Sequence, residues 1–104
     1  MHGNSKANPN LHHLYDIFKR SDRDTFKFGI SDDPIEEEDG LSARARDQLE
    51  EMNLAAEYDK FGAEILITGI PGRMKALRIE RTHIDAYYEE HGRNPKGNKY
   101  PKRH

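Results

Sequence analysis

The sequence predicts an α+β domain: a small three-stranded antiparallel sheet flanked by helices, in the order strand, strand, helix, strand, helix. Three observations predict it. HHLYDIFKR and TFKFGIS are apolar-rich segments on either side of the polar turn SDRD, the pattern of a β-hairpin. Two later stretches carry apolar residues every three to four positions, as amphipathic helices do. Between them lies FGAEILITG, a third strand.

MHGNSKANPN opens the chain with Gly, Asn, Ser and Pro and reads as part of a flexible lead-in over residues 1–11. The folded domain is expected over residues 12–101, with a basic tail end at residues 102–104. In the first strand, Tyr15 and Ile17 point one way and Leu14, Asp16 and Phe18 the other. In the second, Phe26, Phe28 and Ile30 form one face while Lys27 and Gly29 form the other. Glycine inside a strand packs nothing and weakens it, so that second face asks for an explanation.

DDPIEEEDG follows with six acids and reads as a solvated loop. Ser42 is placed to cap a helix reaching about Tyr58, with Leu41, Ala45, Leu49, Met52 and Ala56 as its buried stripe. Pro71 fits the first turn of a second helix. That helix runs to about His91, is stopped by Gly92, and puts Met74, Leu77, Ile84 and Tyr88 on its core side.

Composition excludes several classes. A chain of 104 residues is one domain. With 34% hydrophobic and 35% charged residues its core is small. No apolar run is long enough for a membrane span, and no signal-peptide pattern opens the chain. There is no cysteine, hence no disulfide framework or thiolate metal site. The net charge of −2 is unevenly spread. Residues 73–104 hold nine basic and four acidic side chains, giving +5, whereas residues 1–72 hold eight and fifteen, giving −7. A basic end on an acidic body suits contact with phosphate, or simply keeps the terminus solvated.

Several side chains stand out. Glu80 follows Leu77 by three and precedes Ile84 by four, at the edge of an apolar stripe. A carboxylate there either closes a structural ion pair or holds a cation. Arg44 and Arg46 flank Ala45, each about 100° from the buried stripe, and helical geometry does not choose between them. Tyr15 becomes functional only if its face carries other polar groups, and Lys27 and Gly29 supply such a face if the hairpin register brings them beside it. His12 and His13 point to opposite faces and make no metal pair. His83, three residues after Glu80, reads as a helix-surface histidine. No Gly-rich phosphate loop or nucleophile elbow is present.

Taken together, these residues resemble the GIY-YIG nuclease family. The first motif is read in HLY, with Tyr15 at the family's tyrosine and His13 in place of its glycine. The second is read in KFG, with Gly29 at the family's glycine, Ser31 in its small polar slot and Lys27 where the second tyrosine stands. In ARARDQLEEMN, Arg44 is similar to the catalytic arginine. In KALRIERTHI, Glu80 is similar to the metal-binding glutamate, and in NPKGN, Asn98 to the late asparagine. The SKANP lead-in, the RAxxQ helix and the GNKYP tail further resemble nuclease domains at the C-termini of bacterial polymorphic toxins, which favours Arg44 over Arg46.

The resemblance implies hydrolysis of nucleic-acid phosphodiester bonds, with DNA favoured over RNA. Glu80 would hold one divalent cation, Mg²⁺ or another, and Arg44 the non-bridging phosphate oxygens. Tyr15 would orient or deprotonate water, with Lys27 as its cationic neighbour or as the base itself. Gly29, Ser31, Asn98 and Lys99 would lie along the substrate. It also implies action in the cytoplasm of a target cell, an immunity protein as partner, and no membrane. Two readings compete: a nucleic-acid-binding module that keeps the fold without turnover, and a protein-interaction domain using the acidic loop.

Overall fold

A computed structural model describes residues 9–98. The predicted residues 1–8, Lys99 and the basic end at 102–104 lie outside that range. The element order is the predicted one: β1 (Leu11–Lys19), β2 (Thr25–Ser31), α1 (Ala43–Ala56), β3 (Phe61–Pro71) and α2 (Arg73–His91). The strands form one antiparallel sheet in the order β2-β1-β3.

The central position of β1 follows from its composition. It is apolar on both faces, so both must be covered. Leu14 packs with Phe28, Ile30 and Ile70 against Ala76, Ile84 and Tyr87 of α2. Tyr15 and Ile17 pack with Phe61 against Leu41 and Ala45. One helix therefore serves each side of β1, and successive β1 residues enter different cores.

The helix ends are explained by their caps. Ser42 has extended backbone and its Oγ accepts from the Ala45 amide at 3.3 Å. Glu57 closes α1 in the left-handed region, at φ 67°. Gly92 does the same for α2 at φ 74°, where a residue without Cβ is unstrained.

Two details differ from expectation. Pro71 ends β3 instead of opening α2; it pairs with Leu11, and Gly72 begins the helix. β3 is an edge strand, where a missing N–H leaves no ladder bond unmade. Gly72 N–H instead donates to the Asn10 carbonyl at 3.0 Å. The buried stripe of α2 is also displaced: it runs Ala76, Glu80, Ile84, Tyr87. Met74 is 47% exposed, and Tyr88 is only half-buried beside the buried Tyr87. Leu77 packs at the cluster's margin, as expected of a residue flanking that stripe.

The acidic loop is largely exposed, as expected, but several of its carboxylates accept hydrogen bonds, two of them from Arg46. Arg46 donates to Asp39 at 2.7 and 2.8 Å and to Glu36 at 2.9 Å. The Arg46 guanidinium, helped by the Leu41 amide, holds the Asp39 carboxyl down at about 2.

Asp16 is the costly residue of β1. It is 7% exposed, its Oδ1 has no partner among the described residues, and Glu64 stands opposite it on β3. Burial and then the Glu64 charge push its carboxyl up to about 6, against the Arg23 charge and the Thr25 hydroxyl. An acid whose folded pKa is raised costs stability as pH climbs from its ordinary 3.8 towards about 6. Asp16→Asn is therefore expected to gain on the order of 2 kcal/mol at pH values above that range. The gain should vanish below it, as urea titrations at the two extremes would read; an equal change at both would refute the assignment.

Candidate active site

The site begins with hairpin register. Tyr15 pairs with Gly29 and Ile17 with Lys27, so all four share one face of the sheet. The Tyr15 ring lies across Gly29. A Cβ on that glycine would fall against Cζ and Oη of Tyr15, with Cε2 at 2.7 Å. The glycine in the middle of β2 is thus room for a tyrosine, and Ile65 of β3 flanks the ring on the other side.

The Tyr15 side chain is wholly buried, at 0% exposure. Its hydroxyl donates to Gln48 Oε1 at 2.6 Å, and the Arg44 side chain lies close enough to act on it. Arg44 and Gln48 are four residues apart on α1, on one helix face. Gln48 was the unassigned member of the RAxxQ pattern, and that spacing is the signal that could have found it. Burial raises the Tyr15 pKa above its ordinary value; Arg44 opposes this, while Glu80 and Asp33 add to it. The phenol therefore keeps its proton at neutral pH.

Lys27 is half-buried on the same face. Its pKa is lowered, by burial first and by the Arg44 charge second, with Glu80 pulling the other way. Glu80 is 8% exposed in the α2 stripe, close enough for its charge to act on both Tyr15 and Lys27. Tyr15, Lys27, Arg44 and Glu80 thus come from four elements into one electrostatic neighbourhood. Arg46 does not join them, because the acidic loop holds it.

The start of α1 is pinned to the sheet. His13 Nε2 lies 2.9 Å from Ser42 Oγ, and Asp33 Oδ2 accepts from the Arg44 amide at 3.1 Å. Ser31, opposite His13, is buried, and its Oγ accepts from the Asp33 amide at 3.0 Å. Burial lowers the His13 pKa, so this residue is a neutral strut for α1. His12 bonds the Asn10 carbonyl at 2.7 Å and His83 the Ile79 carbonyl at 2.9 Å.

Asn98 sits at the outer edge of β2. Its Oδ1 accepts from Phe28 N–H at 2.8 Å and its Nδ2 donates to Phe28 O at 2.9 Å. The neighbouring Gly97 N–H donates to Phe26 O at 2.7 Å. Residues 97–98 therefore occupy the free edge of the strand that carries Lys27 and Gly29, which also protects that edge from pairing with other chains.

Residues 5–92 match the family described as URI fold toxin 2. The chain belongs to that toxin family. No curated protein and no solved structure is matched. The matched stretch of this URI fold toxin domain contains Tyr15, Lys27, Arg44, Gln48 and Glu80 and stops short of Asn98. Among the described residues of the toxin domain, no helix is long and apolar enough to cross a membrane. No cluster of three or more His, Asp or Glu side chains could hold a metal there either.

Proposed function

We propose that this URI fold toxin domain is a metal-dependent endonuclease of the GIY-YIG type, hydrolysing phosphodiester bonds, with DNA preferred to RNA. The observation that supports this best is the hairpin register that puts Lys27 on the Tyr15 face, with Arg44 and Glu80 close enough for their charges to act on both. A single carboxylate fits Mg²⁺, which keeps several waters and relies on substrate phosphate for further ligands. Bound there, such an ion would offset charge developing on the phosphate and on the leaving oxygen.

The chain's own residues divide the remaining work. Arg44 is exposed on the first turn of α1, and its planar fork suits two non-bridging oxygens. Tyr15 is a positioning residue: it is buried, keeps its proton, donates a hydrogen bond to Gln48 and stands beside Arg44. Lys27 is the proton acceptor for the attacking water. Its pKa shift runs towards the neutral amine a base needs, whereas the Tyr15 shift runs away from phenolate. As a delivered toxin it would act in the cytoplasm of a target cell and be restrained by an immunity protein. The burial of Tyr15 favours a second reading, nucleic-acid binding without turnover.

A plasmid-nicking assay separates the two. Wild type with Mg²⁺ is expected to nick, and both EDTA and Glu80→Ala to abolish nicking. Plasmid left intact by wild type across several divalent metals would leave only binding. Lys27→Met is expected to slow cleavage about 10²-fold or more. The wild-type rate should rise with pH until the lowered Lys27 pKa is passed, because only the neutral amine accepts a proton. Lys27→Met should lose that rise and Tyr15→Phe should keep it; the opposite pattern would make Tyr15 the base.

A further inference from the structure

We propose that a cationic niche at the turn end of the sheet binds backbone phosphates of the nucleic acid flanking the cleavage point. The proposal rests on the nuclease reading above and adds a place for the substrate to lie. Lys19 at the end of β1, Lys60 just before β3, and Arg93 and Lys96 after α2 converge around Phe26 and Phe61. With Asp24 as the one carboxylate lining it, the niche carries +4 − 1 = +3, in a chain whose net charge is −2.

Ion pairs within the fold account for only two of these four cations. Asp24 is shared between Arg93 at 3.3 Å and the Tyr87 hydroxyl at 2.7 Å. Lys19 has an exposed pairing to Asp22 at 3.2 Å, which water and salt screen. Lys60 and Lys96 form no ion pair with any described residue; Lys60 Nζ lies 5.4 Å over the Phe61 ring. Gathering four like charges from three separate parts of the chain costs repulsion, which an anion between them relieves.

The niche is continuous with the candidate site. Lys27 follows Phe26 on β2, and a Cβ on Gly97, next to Lys96, would come within 2.9 Å of Lys27 Cβ. Along β1, Lys19 is four residues from Tyr15, about 13 Å at strand rise. Measured along the axis of a duplex, that is roughly four base-pair rises. A strand held by Arg44 at one phosphate therefore has charge left to meet Lys60 and Lys96 further on, and the Phe26–Phe61 floor is uncharged and close-packed, with ring centroids 5.2 Å apart.

The test is a salt titration of oligonucleotide affinity by fluorescence anisotropy, in EDTA so that no cleavage intervenes. Lys60→Ala with Lys96→Ala is expected to weaken binding of a labelled duplex about tenfold. The slope of log affinity against log salt should fall by about 1 to 2, the loss of two phosphate contacts. Lys60→Arg with Lys96→Arg should restore both. Unchanged affinity and slope in the alanine pair would overturn the niche. So would a site taking inorganic phosphate, seen as a thermal shift lost in the alanine pair, while duplex affinity stays as in wild type. Nicking by wild type with unaltered duplex affinity in the alanine pair removes the niche alone. Weakened duplex binding together with a wild type that never nicks removes the nuclease reading and keeps the phosphate contacts.

Discussion

Arg44→Ala is expected to reduce plasmid nicking about 10²- to 10³-fold, the usual cost of removing one donor aimed at developing phosphate charge. Arg46→Ala should leave nicking close to wild type. The two side chains are two residues apart on one helix and carry the same charge, so a general loss of basic surface would affect both alike. Their settings differ. Arg46 is tied to Asp39 and Glu36 of the acidic loop, whereas the charge of Arg44 acts on both Tyr15 and Lys27. Arg44→Lys should recover little, because an ammonium cannot offer two parallel donors. Single-turnover nicking at saturating enzyme is the measurement. Equal loss in both alanine variants, or greater loss for Arg46, would move the site away from Arg44.

Gly29→Ala is expected to destabilise the domain by about 1–3 kcal/mol, the range for overpacking a filled interior. The added methyl has nowhere to go: it meets the ring and hydroxyl of Tyr15, which is itself pressed between β2, Ile65 and α1. The ring would have to turn, breaking the bond to Gln48 and the contact with Arg44. Cleavage should fall with stability, since Arg44 loses its support. A double-mutant cycle with Tyr15→Ala isolates the cause. In the Tyr15→Ala background, Gly29→Ala should cost little, as the space has been vacated. An equal cost in both backgrounds would show that the glycine is needed for its backbone and not for the ring beside it.

The two residues also show where sequence reading stops. Alternation in FKFGIS marks Lys27 and Gly29 as a face distinct from Phe26, Phe28 and Ile30; that division holds for Phe28 and Ile30, but the register shift beside Phe26 turns its ring to the other core, against Phe61. The purpose of the gap is different from one a strand pattern suggests. Open space beside a glycine reads as a path for substrate; register fills it with Tyr15. Register depends on how the turn and the bulge between Ile17 and Phe18 resolve, and short-range pattern carries no such information. The α2 stripe makes the same point. Its period is legible, but Tyr87 and Tyr88 differ only by which faces the sheet, and the rotation that buries Glu80 and Tyr87 is set by packing against Leu14 and Phe28.

By itself the sequence determined the element order, the caps at Ser42 and Gly92, the double-sided apolar character of β1 and the short list of unusual polar residues. All of these follow from local periodicity and local backbone preference, which neighbouring residues specify. Tertiary structure alone decided which of those residues meet. It separated Arg44 from Arg46, engaged Gln48 with the Tyr15 hydroxyl, buried that hydroxyl, lowered the Lys27 pKa by burial, and drew Lys19, Lys60, Arg93 and Lys96 together. These outcomes depend on contacts between residues tens of positions apart and on the desolvation those contacts cause. A burial-driven pKa shift exists only once the chain has closed around the group.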